Sequence, residues 1–102
     1  MKATLLQYKK DIYPDGSIAE TIIWQLPAST RHRPHGYKYR INYCSADGKT
    51  RVRYDNKLEK GDHKHIYETE LPYEFESLEK LLSDFYKDVE MVRRWLWQKR
   101  EE

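Results

Sequence analysis

The stretch from Arg51 to His65, RVRYDNKLEKGDHKH, holds most of the groups in this chain that could move a proton or neutralise a phosphate. Arg51, Arg53 and Lys57 come first, with Asp55 and Asn56 among them. Lys60, Gly61 and Asp62 follow, and then His63 and His65 around Lys64. Cleaving RNA without a metal needs a base for the 2′-hydroxyl, an acid for the leaving 5′-oxygen, and cations for the charge that builds on phosphorus. Histidine titrates near neutrality and can serve as either acid or base. His63 and His65 are two residues apart, so an extended backbone puts both on one face, and the same holds for Arg51 and Arg53. His63 and His65 are therefore the acid–base candidates, with Asp55 or Asp62 orienting a ring and Arg51, Arg53 and Lys60 stabilising phosphate. The same residues also fit a plain turn, closed by Asp55 and Asn56, opened by Gly61 and capped by the histidines.

Asp62, His63 and His65, with Asp55 across the loop, offer nitrogen and oxygen ligands of the kind metals take. Lys57, Lys60 and Lys64 would repel a cation there, so neither a metal nor another cofactor is expected. The chain has no glycine-rich phosphate loop, no paired cysteines and no nucleophile elbow.

A sheet must hold this loop. Thr4 to Tyr13 and Ser17 to Leu26 read as two strands joined at Pro14-Asp15-Gly16, where Pro presets φ and Gly takes the left-handed position. That turn sets Ile12 opposite Ile18, Tyr8 opposite Ile22, Leu6 opposite Trp24, and Lys10 opposite Glu20. Residues 27–36, with Arg31, His32, Arg33 and His35, read as a solvated connection or as a basic flap over a nucleic-acid groove. Tyr37 to Cys44 alternates as a half-buried strand does. Asp47-Gly48 signals a second hairpin. It pairs Tyr43 with Val52 and Ile41 with Tyr54 on the core face, and Cys44 with Arg51, Asn42 with Arg53, and Arg40 with Asp55 on the other. That outer face then carries Lys38, Arg40, Arg51 and Arg53, a basic surface suited to phosphate. Tyr54, Asn56, Lys57 and Lys64 complete the nucleic-acid-binding candidates.

Asp62 to Glu70 reads as a short fifth strand. From Ser77, an expected N-cap, the period becomes helical. Leu78, Leu81, Leu82, Phe85, Val89, Val92 and Leu96 form one apolar stripe, which should cover the core face. Trp95 and Trp97 lie off it, near a charged end, as a partner surface would.

At 102 residues the chain suffices for one domain. Net charge is only +2, but residues 31–65 carry ten Lys or Arg against four acids, and residues 66–92 carry two Lys against eight acids. Such a chain can present polyanion to one face only. The lone Cys44 points to a reducing, cytoplasmic compartment, and no apolar run is long enough to span a membrane.

Arg53-Tyr54-Asp55-Asn56 followed by Lys60-Gly61-Asp62-His63-Lys64-His65 resembles the most characteristic block of the TumE-type toxins of prokaryotic toxin–antitoxin pairs. Ile22-Ile23-Trp24-Gln25-Leu26-Pro27 is similar to that family's second strand, and Lys38-Tyr39-Arg40 to its third. Pro72-Tyr73 and Leu81-Leu82-Ser83-Asp84-Phe85 are similar to its entry into the helix. The resemblance runs from about Ala3 to Val92. It implies a cytoplasmic toxin encoded beside an antitoxin, typically a helix-turn-helix protein that neutralises it by direct binding.

These readings converge on one α+β domain over residues 1–102. Its antiparallel sheet has four to five strands over about residues 3–70, as two successive hairpins plus a short strand. One long C-terminal helix, over about residues 77–98, packs on one face. The expected function is that of a type II toxin acting on RNA as a metal-independent ribonuclease. The alternative is a non-catalytic module that binds nucleic acid or protein through the basic sheet face and the aromatic helix end. Whether the chain is an enzyme, and whether it dimerises, is open at this level.

Overall fold

The computed structural model describes residues 2–57 and 60–101. Six strands form one antiparallel sheet in sequence order: β1 (Thr4–Ile12), β2 (Ile18–Gln25), β3 (Tyr37–Cys44), β4 (Thr50–Asp55), β5 (His63–Ile66) and β6 (Thr69–Pro72). A single helix, α1 (Leu78–Glu101), follows. The α+β architecture expected from the sequence is present, with six strands in place of four to five.

The first hairpin closes as its turn residues require. Gly16 sits at φ 86°, and the Asp15 carboxylate accepts from both the Ser17 backbone N–H and hydroxyl. Ile12 faces Ile18, Lys10 faces Glu20, and Tyr8 faces Ile22. The register then slips between Leu5 and Gln7, so Leu5, not Leu6, lies opposite Trp24. The second hairpin repeats the device with Asp47 and Gly48 (φ 83°). Here the strands slip by one residue beside the turn, and Cys44 faces Thr50 rather than Arg51. A bulge of this kind turns the extra residue away from the ladder.

The strand read from Asp62 to Glu70 is two strands. It breaks at Tyr67, which holds φ 56°, unusual for a residue with a side chain. Tertiary contacts hold it there: its N–H donates to the Arg51 carbonyl, its ring meets Trp95 edge-on, and the Arg51 guanidinium lies over it. β6 is a fully exposed edge strand ending in Pro72, a position where a missing N–H costs nothing.

The core lies between the helix and one sheet face. Ala19 and Ile23 of β2, Tyr39, Ile41 and Tyr43 of β3, and Val52 and Tyr54 of β4 pack with Leu81, Phe85, Val89 and Val92 of α1. The Ser77 hydroxyl caps the helix by accepting from the Lys80 N–H at 3.1 Å, as its residue type favours. The helix runs three residues past its expected end, and Trp95 and Trp97 are exposed.

Candidate functional site

With α1 on one face, the alternation of the strands sends a second set of side chains to the other. One cross-strand row there reads Tyr8, Ile22, Arg40, Asp55, His63, Pro72. The next reads Lys10, Glu20, Asn42, Arg53, His65, Glu70. The two rows bring Arg53, Asp55, His63, His65 and Glu70 into one cluster.

Asp55 is its centre. His63 Nε2 lies 2.7 Å from one carboxylate oxygen and Arg53 Nε 2.9 Å from the other. The Asp55 and His63 side chains are only 5% and 7% exposed. His63 Nδ1 lies 3.0 Å from the Gly61 carbonyl, so both ring nitrogens face acceptors. A neutral ring can donate to one of them, and an imidazolium to both. His65 sits beside it with ring centres 5.4 Å apart. Its side chain is 32% exposed, and its Nε2 is 3.8 Å from Glu70.

The cluster is tightly packed but poorly satisfied. Among the described residues, Arg53 Nε, Asp55 Oδ1, His65 Nδ1 and the Tyr67 hydroxyl are buried without an aligned hydrogen-bond partner. Three of these four belong to this one group. Arg53 and Asp55 nonetheless form a close ion pair, and His63 Nε2 lies within hydrogen-bonding distance of Asp55 with imperfect alignment. Buried polar atoms are almost always paired, and three atoms of this one cluster depart from that rule.

Asn56 fixes the cluster from behind. Its side chain is buried, donates to the Tyr37 carbonyl and accepts from the Tyr39 N–H. It thus extends the β3 ladder one residue past the end of β4 and holds Asp55 in place. Arg33 of the 27–36 connection donates to the Asn56 carbonyl, so that connection is tied to the sheet.

A family model described as Toxin TumE matches residues 2–94. The chain belongs to the TumE toxin family. No curated protein and no solved structure matches it.

The TumE-type block is brought together only in part. His63, His65, Asp55 and Arg53 converge, and Lys38, Arg40 and Lys57 border them on the same face around a pocket of about 240 Å³. Lys60 is exposed at the rim, 3.7 Å from Glu70. The other candidates lie elsewhere. Asp62 does not orient His63 or His65. It accepts from the Tyr39 hydroxyl at 2.6 Å and meets His35 Nε2 at 3.1 Å, while the His35 ring stacks on Phe75. Burial, with Asp62 alongside, raises the Tyr39 phenol above its ordinary value.

Lys64 and Tyr54 point to the core face of the toxin, where both reach Asp88 of the helix. Burial first, and then Asp88, raises the Tyr54 phenol. Neither residue is on the outer face. Arg51 is turned out of the basic row by the bulge and pairs with Asp47 at 2.8 Å. Asn56 spends its amide on backbone. Two residues of the TumE-family face were not among the candidates. Glu70 reaches it only because β6 exists, and Trp24 lines the pocket with Lys38 above its ring. The alternation of β2 places Trp24 opposite Lys38, which is the one signal that could have found it. Among the described residues no group of three or more His, Cys, Asp or Glu is arranged to hold a metal ion, and no helix is long and apolar enough to cross a membrane.

Proposed function

We propose that this TumE-family toxin binds RNA on the outer face of its sheet and cleaves it there without a metal. In the cell it acts in the cytoplasm and is neutralised by direct binding of an antitoxin of the helix-turn-helix kind. One observation carries the catalytic part. A cluster of Arg, Asp and two His holds three buried, unaligned polar atoms on the face the helix leaves open.

In this reading the two histidines are not equivalent. His65, the more exposed, takes the proton from the 2′-hydroxyl as that oxygen attacks phosphorus. Arg53 and Arg40 neutralise the developing charge. His63, with one ring nitrogen facing Asp55 and the other the Gly61 carbonyl, aims no N–H outward. It holds Asp55 and the neighbouring His65 in place, and water gives the proton to the departing 5′-oxygen. The P–O5′ bond breaks and a 2′,3′-cyclic phosphate remains. Asp55 is a positioning residue, since it acts through His63 and Arg53.

The test is incubation of the purified chain with total RNA in EDTA, beside His65→Ala and the His63→Ala/His65→Ala form. The expected result is cleavage by the wild type alone, leaving cyclic phosphate ends. Cleavage by a folded double variant refutes the mechanism. RNA retained at low salt and released at high salt without cleavage would instead favour the binding module.

A further inference from the structure

We propose that the pocket between Trp24, Lys38, Arg40, Arg53 and Lys57 seats one unpaired nucleotide, its base on the Trp24 indole and its phosphate between Arg40 and Lys57, so that the substrate class is single-stranded RNA. This rests on the reading that the outer face binds RNA, and it names the form of RNA.

The pocket lies over β2, β3 and the end of β4, with Lys57 just past that strand. Its volume of about 240 Å³ is below the roughly 300–1,000 Å³ that encloses a drug-sized ligand. It admits a single planar group and excludes a helix. Four cations border it against one carboxylate, Asp55, and that carboxylate is already met by Arg53 and His63. Among the described residues Lys38, Arg40 and Lys57 form no ion pair, so their charge faces solvent.

Trp24 is the part that phosphate binding alone does not explain. It lines the pocket, half-buried on its strand, with Lys38 Nζ 5.2 Å from its ring centre, whereas Tyr8, also on this face, lies on β1 outside the pocket lining. A cation resting on an indole is held weakly when exposed, by about 0.5–1 kcal/mol. A phosphate beside Lys38 draws that ammonium away and opens the ring face to a base. Every base has a face that stacks, so the contact tolerates sequence. A duplex keeps its bases stacked inward and can offer only phosphates and the groove. The indole therefore discriminates strandedness, and the cations do not. The Asp55 cluster adjoins the pocket floor, so a nucleotide seated here places its neighbouring phosphate next to Arg53 and His65.

Binding is measured by fluorescence anisotropy with a labelled 2′-O-methyl oligouridine, which cannot be cleaved through its 2′-oxygen, and with an RNA duplex of the same length. Trp24→Leu keeps apolar packing but loses the stacking face. It is expected to weaken single-strand binding by roughly 5- to 150-fold and to leave duplex binding unchanged. Trp24→Phe is expected to stay near wild type. Lys38→Ala should weaken both ligands and reduce the salt slope by about one. A folded Trp24→Leu form that binds the oligouridine as the wild type does overturns this inference and leaves the ribonuclease reading standing. Equal loss for both ligands overturns it too. A wild type that neither binds nor cleaves any RNA overturns both.

Discussion

Replacing Asp55 by Ala removes the one acceptor shared by His63 and Arg53. The consequence differs for the two partners. The Arg53 side chain is 36% exposed, so its guanidinium can turn to water at a cost of about 1 kcal/mol or less. The His63 side chain is 7% exposed and stays where the Gly61 carbonyl holds it. Its Nε2 then loses its partner in a buried site, which costs about 1–3 kcal/mol. Relief of the buried carboxylate's own desolvation offsets part of this, so a net loss of about 2 kcal/mol is expected. For a chain near 100 residues that lowers Tm by roughly 10 °C. Asp55→Asn keeps an acceptor and should lose about half as much. Thermal and urea unfolding of Asp55→Ala, His63→Ala and the double variant form a cycle, and a coupling of about 1–2 kcal/mol is expected. Strict additivity would show that the 2.7 Å contact carries no energy, and the assignment of Asp55 as the residue that positions His63 would fall with it. Cleavage should drop in Asp55→Asn more than its stability does.

Three further outcomes follow from the same geometry. Asn56→Ala should cost about 2–4 kcal/mol, because it orphans the Tyr37 carbonyl and the Tyr39 N–H together, and urea midpoints would show it. Ser77→Ala should cost about 1 kcal/mol through loss of the cap, with the helical circular dichroism signal retained. At alkaline pH, burial and the Asp11 carboxylate push the Tyr86 hydroxyl up to about 12 from 10.0. The folded state therefore holds a proton that the unfolded chain gives up. This contribution is complete below pH 10 and is lost as pH rises toward 12. Tyr86→Phe should flatten the fall of the urea midpoint across that window, and an unchanged slope would contradict the effect of burial and Asp11 on this hydroxyl.

Much of the sheet was legible because hairpins are local. Turn residues with a left-handed glycine and an aspartate that ties the turn set most pairs of both hairpins. The readings failed where one residue was inserted into a ladder. A bulge at Leu5–Gln7 and another beside Cys44 reverse the phase of the alternation, but only Thr4 and Leu5, and Thr50, lie beyond them in their strands, too few residues to show the reversal. β6 was missed because its turn uses Tyr67, held left-handed by Arg51 and Trp95 rather than by its own preference. The site was legible to the same degree. The Asp55–His63–His65 set and its basic border came from alternation within one block. Asp62, Lys64, Tyr54 and Arg51 belong to that block in sequence but leave it in space, for His35, Asp88 and Asp47.

Most pairings inside each hairpin, the helix N-cap, the apolar helix stripe and the gathering of charge in residues 31–65 are properties of neighbours along the chain, and the sequence alone determines them. The order of the strands is instead decided by the fold, which pairs β2 with β3 and β4 with β5. For β3 and β4 the apolar side of the alternation already names the face the helix covers. For β5, His63 to Ile66, neither side is clearly apolar, and only its pairing with β4 chooses between them. That choice sends Lys64 into the interior and His63 to the open side, and the pairing of β2 with β3 leaves Trp24 beside the basic residues. Side chains from distant strands become one site only after strand pairing has decided which way each strand lies.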